Sequence, residues 1–103
     1  MIIYNVTIKI DKRVETEWLQ WMKENHIPNV MKTGMFVEYK LCKMIFEVEE
    51  DPQGTTYAVQ YIANSLEDIK EYQEKYGKAL QEEHAKRYQN RYIAFRTLLE
   101  ILE

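Results

Sequence analysis

The hydrophobic period of this chain changes from two to 3.6 and back, twice, and that succession restricts the fold more than any other feature. Ile2, Tyr4, Val6, Ile8 and Ile10 share one parity, and Ile3, Asn5, Thr7 and Lys9 the other. Alternation with β-branched residues predicts a strand that faces its core with the first set. Asp11 is placed to cap a helix beginning just after it. Val14, Trp18, Trp21, Met22 and Asn25 recur at helical spacing and predict a helix over about 12–25. Pro28 disfavours helical geometry at Ile27, but it can open a short new turn, which Thr33-Gly34 ends.

Residues 35–50 form a long strand signal. Val37, Tyr39 and Leu41 share one parity, and Met44, Phe46 and Val48 the other. A switch near Cys42-Lys43 predicts a β-bulge, because one extra residue exchanges the faces. Asp51-Pro52-Gln53-Gly54 reads as a turn, and residues 55–64 as the returning strand of a hairpin. Ser65 then caps a second helix with acids in its first turn. Its stripe runs through Leu66, Ile69, Tyr72, Tyr76, Leu80, His84 and Tyr88, with Gly77 marking a bend. The last strand, residues 92–102, puts Ile93, Phe95, Leu99 and Ile101 on one side and Tyr92, Arg96 and Glu100 on the other.

The predicted order is β-α-β-β-α-β. Each helix crosses between strands that must lie parallel. With right-handed crossovers this gives an α+β, ferredoxin-like sandwich: a four-stranded antiparallel sheet with both helices on one face. Asn5, Thr7, Lys9, Arg96 and Glu100, beside Ile3 and Leu98, are expected on the other face. A half-apolar face with no helix to cover it predicts a homodimer through the sheet.

The chain's 103 residues are expected to form one domain, 1–103. A net charge of −3 disfavours nucleic acid as a partner. A lone cysteine, Cys42, rules out an internal disulfide and fits a reducing compartment. The sequence starts without a charged region leading into an apolar block, and no apolar run approaches ~20 residues. Neither a signal peptide nor a membrane partner is expected, and the chain is placed in the cytoplasm.

Exclusions dominate the chemistry. The lone serine, Ser65, is best used as the helix cap. Cys42 lies in a strand without a neighbouring histidine in sequence. The scattered histidines and cysteine have no metal-ligand spacing, so no metal is expected. Gly34, Gly54 and Gly77 are too far apart to form a phosphate loop. Two histidines stand out as candidates for a ligand site. His26 sits where the first helix breaks, and it reads either as a cleft residue or as a C-terminal histidine helped by the helix dipole. His84 sits between Leu80 and Tyr88, and it reads either as a site residue or as a hydrogen-bonded residue at the core edge. Tyr72, Tyr76 and Tyr88 either line an apolar pocket with polar tips or simply pack. Trp18 and Trp21 read as core and interface bulk.

Trp18-x-x-Trp21-Met22-x-x-x-His26-Ile27-Pro28, Thr33-Gly34-Met35-Phe36 and the later Tyr76-Gly77-Lys78-Ala79-Leu80-Gln81-Glu82-Glu83-His84 resemble an uncharacterised family of short bacterial proteins. His26-Ile27-Pro28 also looks like the dimeric α/β-barrel superfamily. That resemblance implies sheet-to-sheet pairing and a range of chemistries, among them cofactor-independent monooxygenases, isomerases and haem degraders. In the haem-degrading branch a histidine at the position His84 matches in character binds iron, helped by a first-strand asparagine and a tryptophan. Here Asn5 lies opposite in parity to Val6 and Ile8, and no tryptophan follows Phe36, so no cofactor is expected. Two functions remain open: a homodimeric small-ligand-binding or regulatory module, or a cofactor-independent monooxygenase or isomerase using a histidine as acid and base.

Overall fold

The computed structural model describes residues 1–45 and 53–103. Strand β1 spans Ile2–Asp11. Helix α1, Glu15–Trp21, runs without interruption into a π turn, Met22–His26, and then into α2, Ile27–Met31. Strands β2, Glu38–Lys43, and β3, Gly54–Ala63, come next. The second half repeats the pattern with α3, Leu66–Tyr72, a π turn at Gln73–Gly77, α4, Lys78–Arg87, and β4, Tyr92–Glu100. The sheet order is β2-β3-β1-β4, and all three pairings are antiparallel. This is the ferredoxin-like sandwich that the period changes predict.

The expected core face of β1 is the observed one: Tyr4, Val6, Ile8 and Ile10 are buried. Above them the helices seat Trp18, Met22, Ile27, Val30 and Ile69, all at or near zero exposure. Burying such a side chain contributes about 1.5–3 kcal/mol. Ser65 caps α3 as expected, its Oγ accepting from the Asp68 N–H over 3.3 Å. Asp11 does not cap α1. Its carboxylate instead accepts from the Arg13 N–H over 2.8 Å and pairs with the Arg13 and Arg91 guanidiniums, pinning the end of β1. Gly34 ends the first helical stretch at φ +78°, in the left-handed region expected of it.

Three further expectations need correction. The first helix does not end before Pro28, since Ile27 is helical at φ −61° and ψ −46°. The π turn explains this: the Ile27 N–H donates back to the Met22 carbonyl, five residues earlier. The wider turn relieves the ring's clash with the preceding turn. Pro28 then falls in the first turn of α2, where its missing N–H costs little.

The bulge is absent. Glu38 to Lys43 pair one-for-one with Ile62 to Tyr57, and the Met44 N–H continues the same register to the Thr56 carbonyl at 2.9 Å. The parity switch reflects an edge strand whose two faces are both largely exposed, so neither face demands apolar residues. Phe46, Val48 and the Asp51-Pro52 part of the expected turn lie outside the described residues.

The faces of β4 are exchanged. Tyr92, Ala94, Arg96, Leu98 and Glu100 pair with Ile10, Ile8, Val6, Tyr4 and Ile2 and so share the helix-side face. Ile93, Phe95 and Leu99 face away from the helices, at 72%, 60% and 44% exposure. Apolarity alone pointed them inward, but a register shift of one residue moves every side chain to the other face, and the pairing of Tyr92 with Ile10 decides it.

Candidate functional site

Both histidines turn into one cavity between the helices and the sheet. Its floor is Tyr4, Val6 and Ile8 of β1 with Val59 and Tyr61 of β3. Its roof is Met22, His26 and Val30 from the first helical stretch, and Tyr72, Gln81 and His84 from the second. Tyr92, Ala94 and Arg96 of β4 complete it. The cavity measures about 30 Å³, room for two or three water-sized groups.

The two π turns set this arrangement. Each inserts one residue into a helical stripe, so the buried positions jump by five: from Met22 to Ile27, and from Tyr72 to Gly77. His26 ends the first turn and is thereby carried onto the inner face beside His84. Their ring centroids lie 5.7 Å apart. Trp21 packs on both, at 5.4 Å from His26 and 5.9 Å from His84, and the Arg87 guanidinium lies 5.2 Å above Trp21. Tyr92 meets His84 edge-on at 4.5 Å.

His84 is buried and hydrogen-bonded: Trp18 Nε1–H donates to its Nε2 over 2.9 Å. That bond requires a lone pair on Nε2, so the ring is neutral with its proton on Nδ1. Burial, then His26 and Arg96, lower its pKa to about 4. Burial, then Arg96, lower that of His26 to about 4 as well. The His26 Nδ1 is buried and has no hydrogen-bond partner among the described residues. Burial also drives the phenols of Tyr61 and Tyr72 well above their ordinary range, so both stay protonated. The wall therefore combines two neutral imidazoles, protonated phenols and one guanidinium.

Of the residues singled out from sequence, His26, His84 and Tyr72 line the cavity. Tyr88 is buried behind it, 5.5 Å from His84 and 5.6 Å from Trp21, with its hydroxyl directed to Glu17 and Arg87. Tyr76 is 37% exposed and does not line the cavity, because the π turn rotates it away. Sequence reasoning missed Arg96, which was assigned to the opposite face. The pairing of β4 with β1 is the signal that places it here. Among the described residues no three His, Cys, Asp or Glu side chains gather as metal ligands, and no helix is long and apolar enough to cross a membrane.

The ferredoxin-like sandwich is a fold with many solved relatives. Over residues 1–102 the sequence matches Domain of unknown function (DUF4286), and the chain belongs to that family. No protein of curated function matches the sequence. An ethyl tert-butyl ether D family protein from Bacillus halodurans is similar in fold, with a TM-score of 0.71 at 12% identity over 99% of this chain and 100% of its own. So is a dimeric ferredoxin-like protein from an uncultured marine organism, with a TM-score of 0.66 at 11% identity over 100% and 96%. A haem degrader from Mycobacterium tuberculosis, with two haems bound in its active site, has a TM-score of 0.68 at 13% identity over 100% and 97%. At such identities the likeness is one of fold.

The residues present do not fit a haem. The Nε2 of His84 is already occupied by Trp18, and about 30 Å³ holds no porphyrin.

Proposed function

We propose that this protein is a homodimeric small-ligand-binding or regulatory module whose ligand enters the cavity of His26, His84 and Tyr72. The observation that carries the reading is that the chain's only two histidines converge on one cavity, one of them with an unmet buried nitrogen. An unmet polar group of this kind costs about 1–3 kcal/mol, which a ligand hydrogen bond would recover. The dimer is supported by the exposed apolar residues Ile93, Phe95 and Leu99 on the sheet face without helices, and by the dimeric ferredoxin-like relative. A cytoplasmic, reducing setting suits the exposed, unpaired Cys42.

A second reading, a cofactor-independent monooxygenase or isomerase, is favoured by one observation. The His26 ring lines the cavity and its Nδ1 has no hydrogen-bond partner among the described residues, which leaves it open to accept a proton. It would take a proton from a carbon beside a carbonyl, leaving the electron pair on the carbonyl oxygen as an enolate.

A thermal-shift screen of small organic compounds tests the binding reading, since a ligand at a hundred times its Kd stabilises by about 2.7 kcal/mol. Stabilising compounds are expected to lose their effect in His26→Gln and His84→Gln. Compounds that stabilise both variants as well as the wild type would place the ligand elsewhere and defeat the reading. Turnover of a bound compound, lost in His26→Gln, would establish the enzymatic one.

A further inference from the structure

We infer that the cavity takes an organic monoanion, a carboxylate by preference, with Arg96 as its anchor. This rests on the reading of the cavity as a ligand site and names the ligand's charge and head group.

Charge balance favours an anion. Among the described residues no Asp or Glu lines the cavity. Its histidines are held neutral and Tyr61 and Tyr72 protonated, so among the described residues the one formal charge on the lining is that of Arg96. That charge also lacks a competitor. Arg13 and Arg91 pair with Asp11, and Arg87 with Glu17, but Arg96 has no carboxylate partner among the described residues. The reason lies in the register. Arg96 sits opposite Val6 on β1, in a row that offers no acid, while the acids of the helices point outward. Arg96 lines the cavity from the helix-side face of edge strand β4 while remaining exposed, so its planar fork is open to an incoming carboxylate.

The hydrogen-bond inventory agrees. A carboxylate accepts and never donates. Arg96 offers five donors, and the Tyr61 and Tyr72 phenols remain O–H donors. The volume of about 30 Å³ suits a carboxylate head, with the rest of a small acid toward the open side, so small acids are the appropriate probes.

The experiment titrates the full chain with two matched pairs, acetate against acetamide and benzoate against benzamide, at pH 7 and constant ionic strength. Imidazole NMR resonances of His26 and His84 report occupancy, and thermal shift reports affinity. Each acid is expected to move both imidazoles and to bind at least tenfold more tightly than its amide. Arg96→Gln should erase that preference and Arg96→Lys should keep part of it. Arg96 is exposed, so both variants are expected to fold, and circular dichroism checks this. Equal binding of acid and amide to the wild type, or an acid preference that survives Arg96→Gln, overturns the anion inference and leaves the cavity as a ligand site. If no probe moves either imidazole, the site reading falls with it. A misfolded Arg96→Gln leaves the wild-type preference and Arg96→Lys to decide.

Discussion

Trp18 donates its indole N–H to His84 across 66 residues of sequence, joining the first helix to the last turns of the second inside the core. Both side chains are buried, so the bond is shielded from water and its loss leaves an acceptor unmet. Trp18→Phe removes the donor and part of the packing, and it is expected to destabilise the fold by about 2–4 kcal/mol in denaturant unfolding. It should also let His84 titrate closer to its ordinary value, because the bond holds only while the ring is neutral. His84→Gln keeps an acceptor within reach and is expected to cost only ~1 to 2 kcal/mol.

The histidines also set a pH dependence with a defined sign. Both have folded pKa values near 4, below the ordinary 6.5, so the unfolded chain binds more protons between those values. Stability is therefore full above about pH 6.5 and falls as pH drops toward 4. The Asp11 carboxylate, held low by Arg13, contributes its own loss only below about pH 4. The Tm of the wild type is expected to fall by several degrees from pH 6.5 to 4.5, and that of His26→Gln/His84→Gln by much less. Parallel slopes for the two proteins would show that the imidazoles are not held neutral.

The sequence carried the fold because the period changes are local and strong, and the core set of β1 follows directly from its alternation. What it did not reveal depended on long-range register. Arg96 and Phe95 exchange faces according to whether Tyr92 or Ile93 meets the core, and nothing local to β4 decides that. The π turns were legible in retrospect. Trp18, Met22, Ile27 and Val30 are spaced by four, five and three, and the gap of five is the inserted residue. Read as a regular helix, the same segment ends at Asn25, and His26 becomes a terminal residue instead of a cavity wall. Likewise Tyr76, one residue before the buried Gly77, looked inward until the second π turn was counted.

Gly77 is a second check on those turns. In a helix interior glycine costs about 1 kcal/mol against alanine, so Gly77→Ala would ordinarily stabilise. Here an added Cβ would stand 3.2 Å from Tyr72 Cε2 and 3.5 Å from the Tyr72 carbonyl oxygen. The Tyr72 ring cannot yield easily, being wedged edge-on against Phe36 at 4.9 Å and Tyr4 at 5.9 Å. Gly77→Ala is therefore expected to destabilise by about 1 kcal/mol net, the overpacking outweighing the propensity gain. In a Tyr72→Leu background the same substitution should become neutral or stabilising, and a double-mutant cycle measures the difference.

The outer sheet face yields the last prediction. Ile93, Phe95 and Leu99 of β4 stand beside Lys9, Thr7 and Ile3 of β1, and Ile62 of β3 lies next to Ile3, making an apolar-rich strip that Asn5 and Thr97 interrupt. Within it Asn5 is only 9% exposed, and its Oδ1 has no partner among the described residues, although Nδ2 donates to Thr7 and Thr97. If the strip pairs with its own copy, sedimentation at micromolar concentration gives a species of twice the 12.5 kDa chain mass. Phe95 is the most exposed aromatic on the strip, at 60%, and it sits mid-strand opposite Thr7. Losing the burial of one phenylalanine per copy removes about 4 kcal/mol, close to a thousandfold in Kd. Phe95→Asp adds the cost of a buried charge, so it is expected to sediment as a monomer while its helical circular dichroism is unchanged. A wild type that remains a 12.5 kDa species at tens of micromolar, or a Phe95→Asp protein that still dimerises, would show that the strip is not the interface.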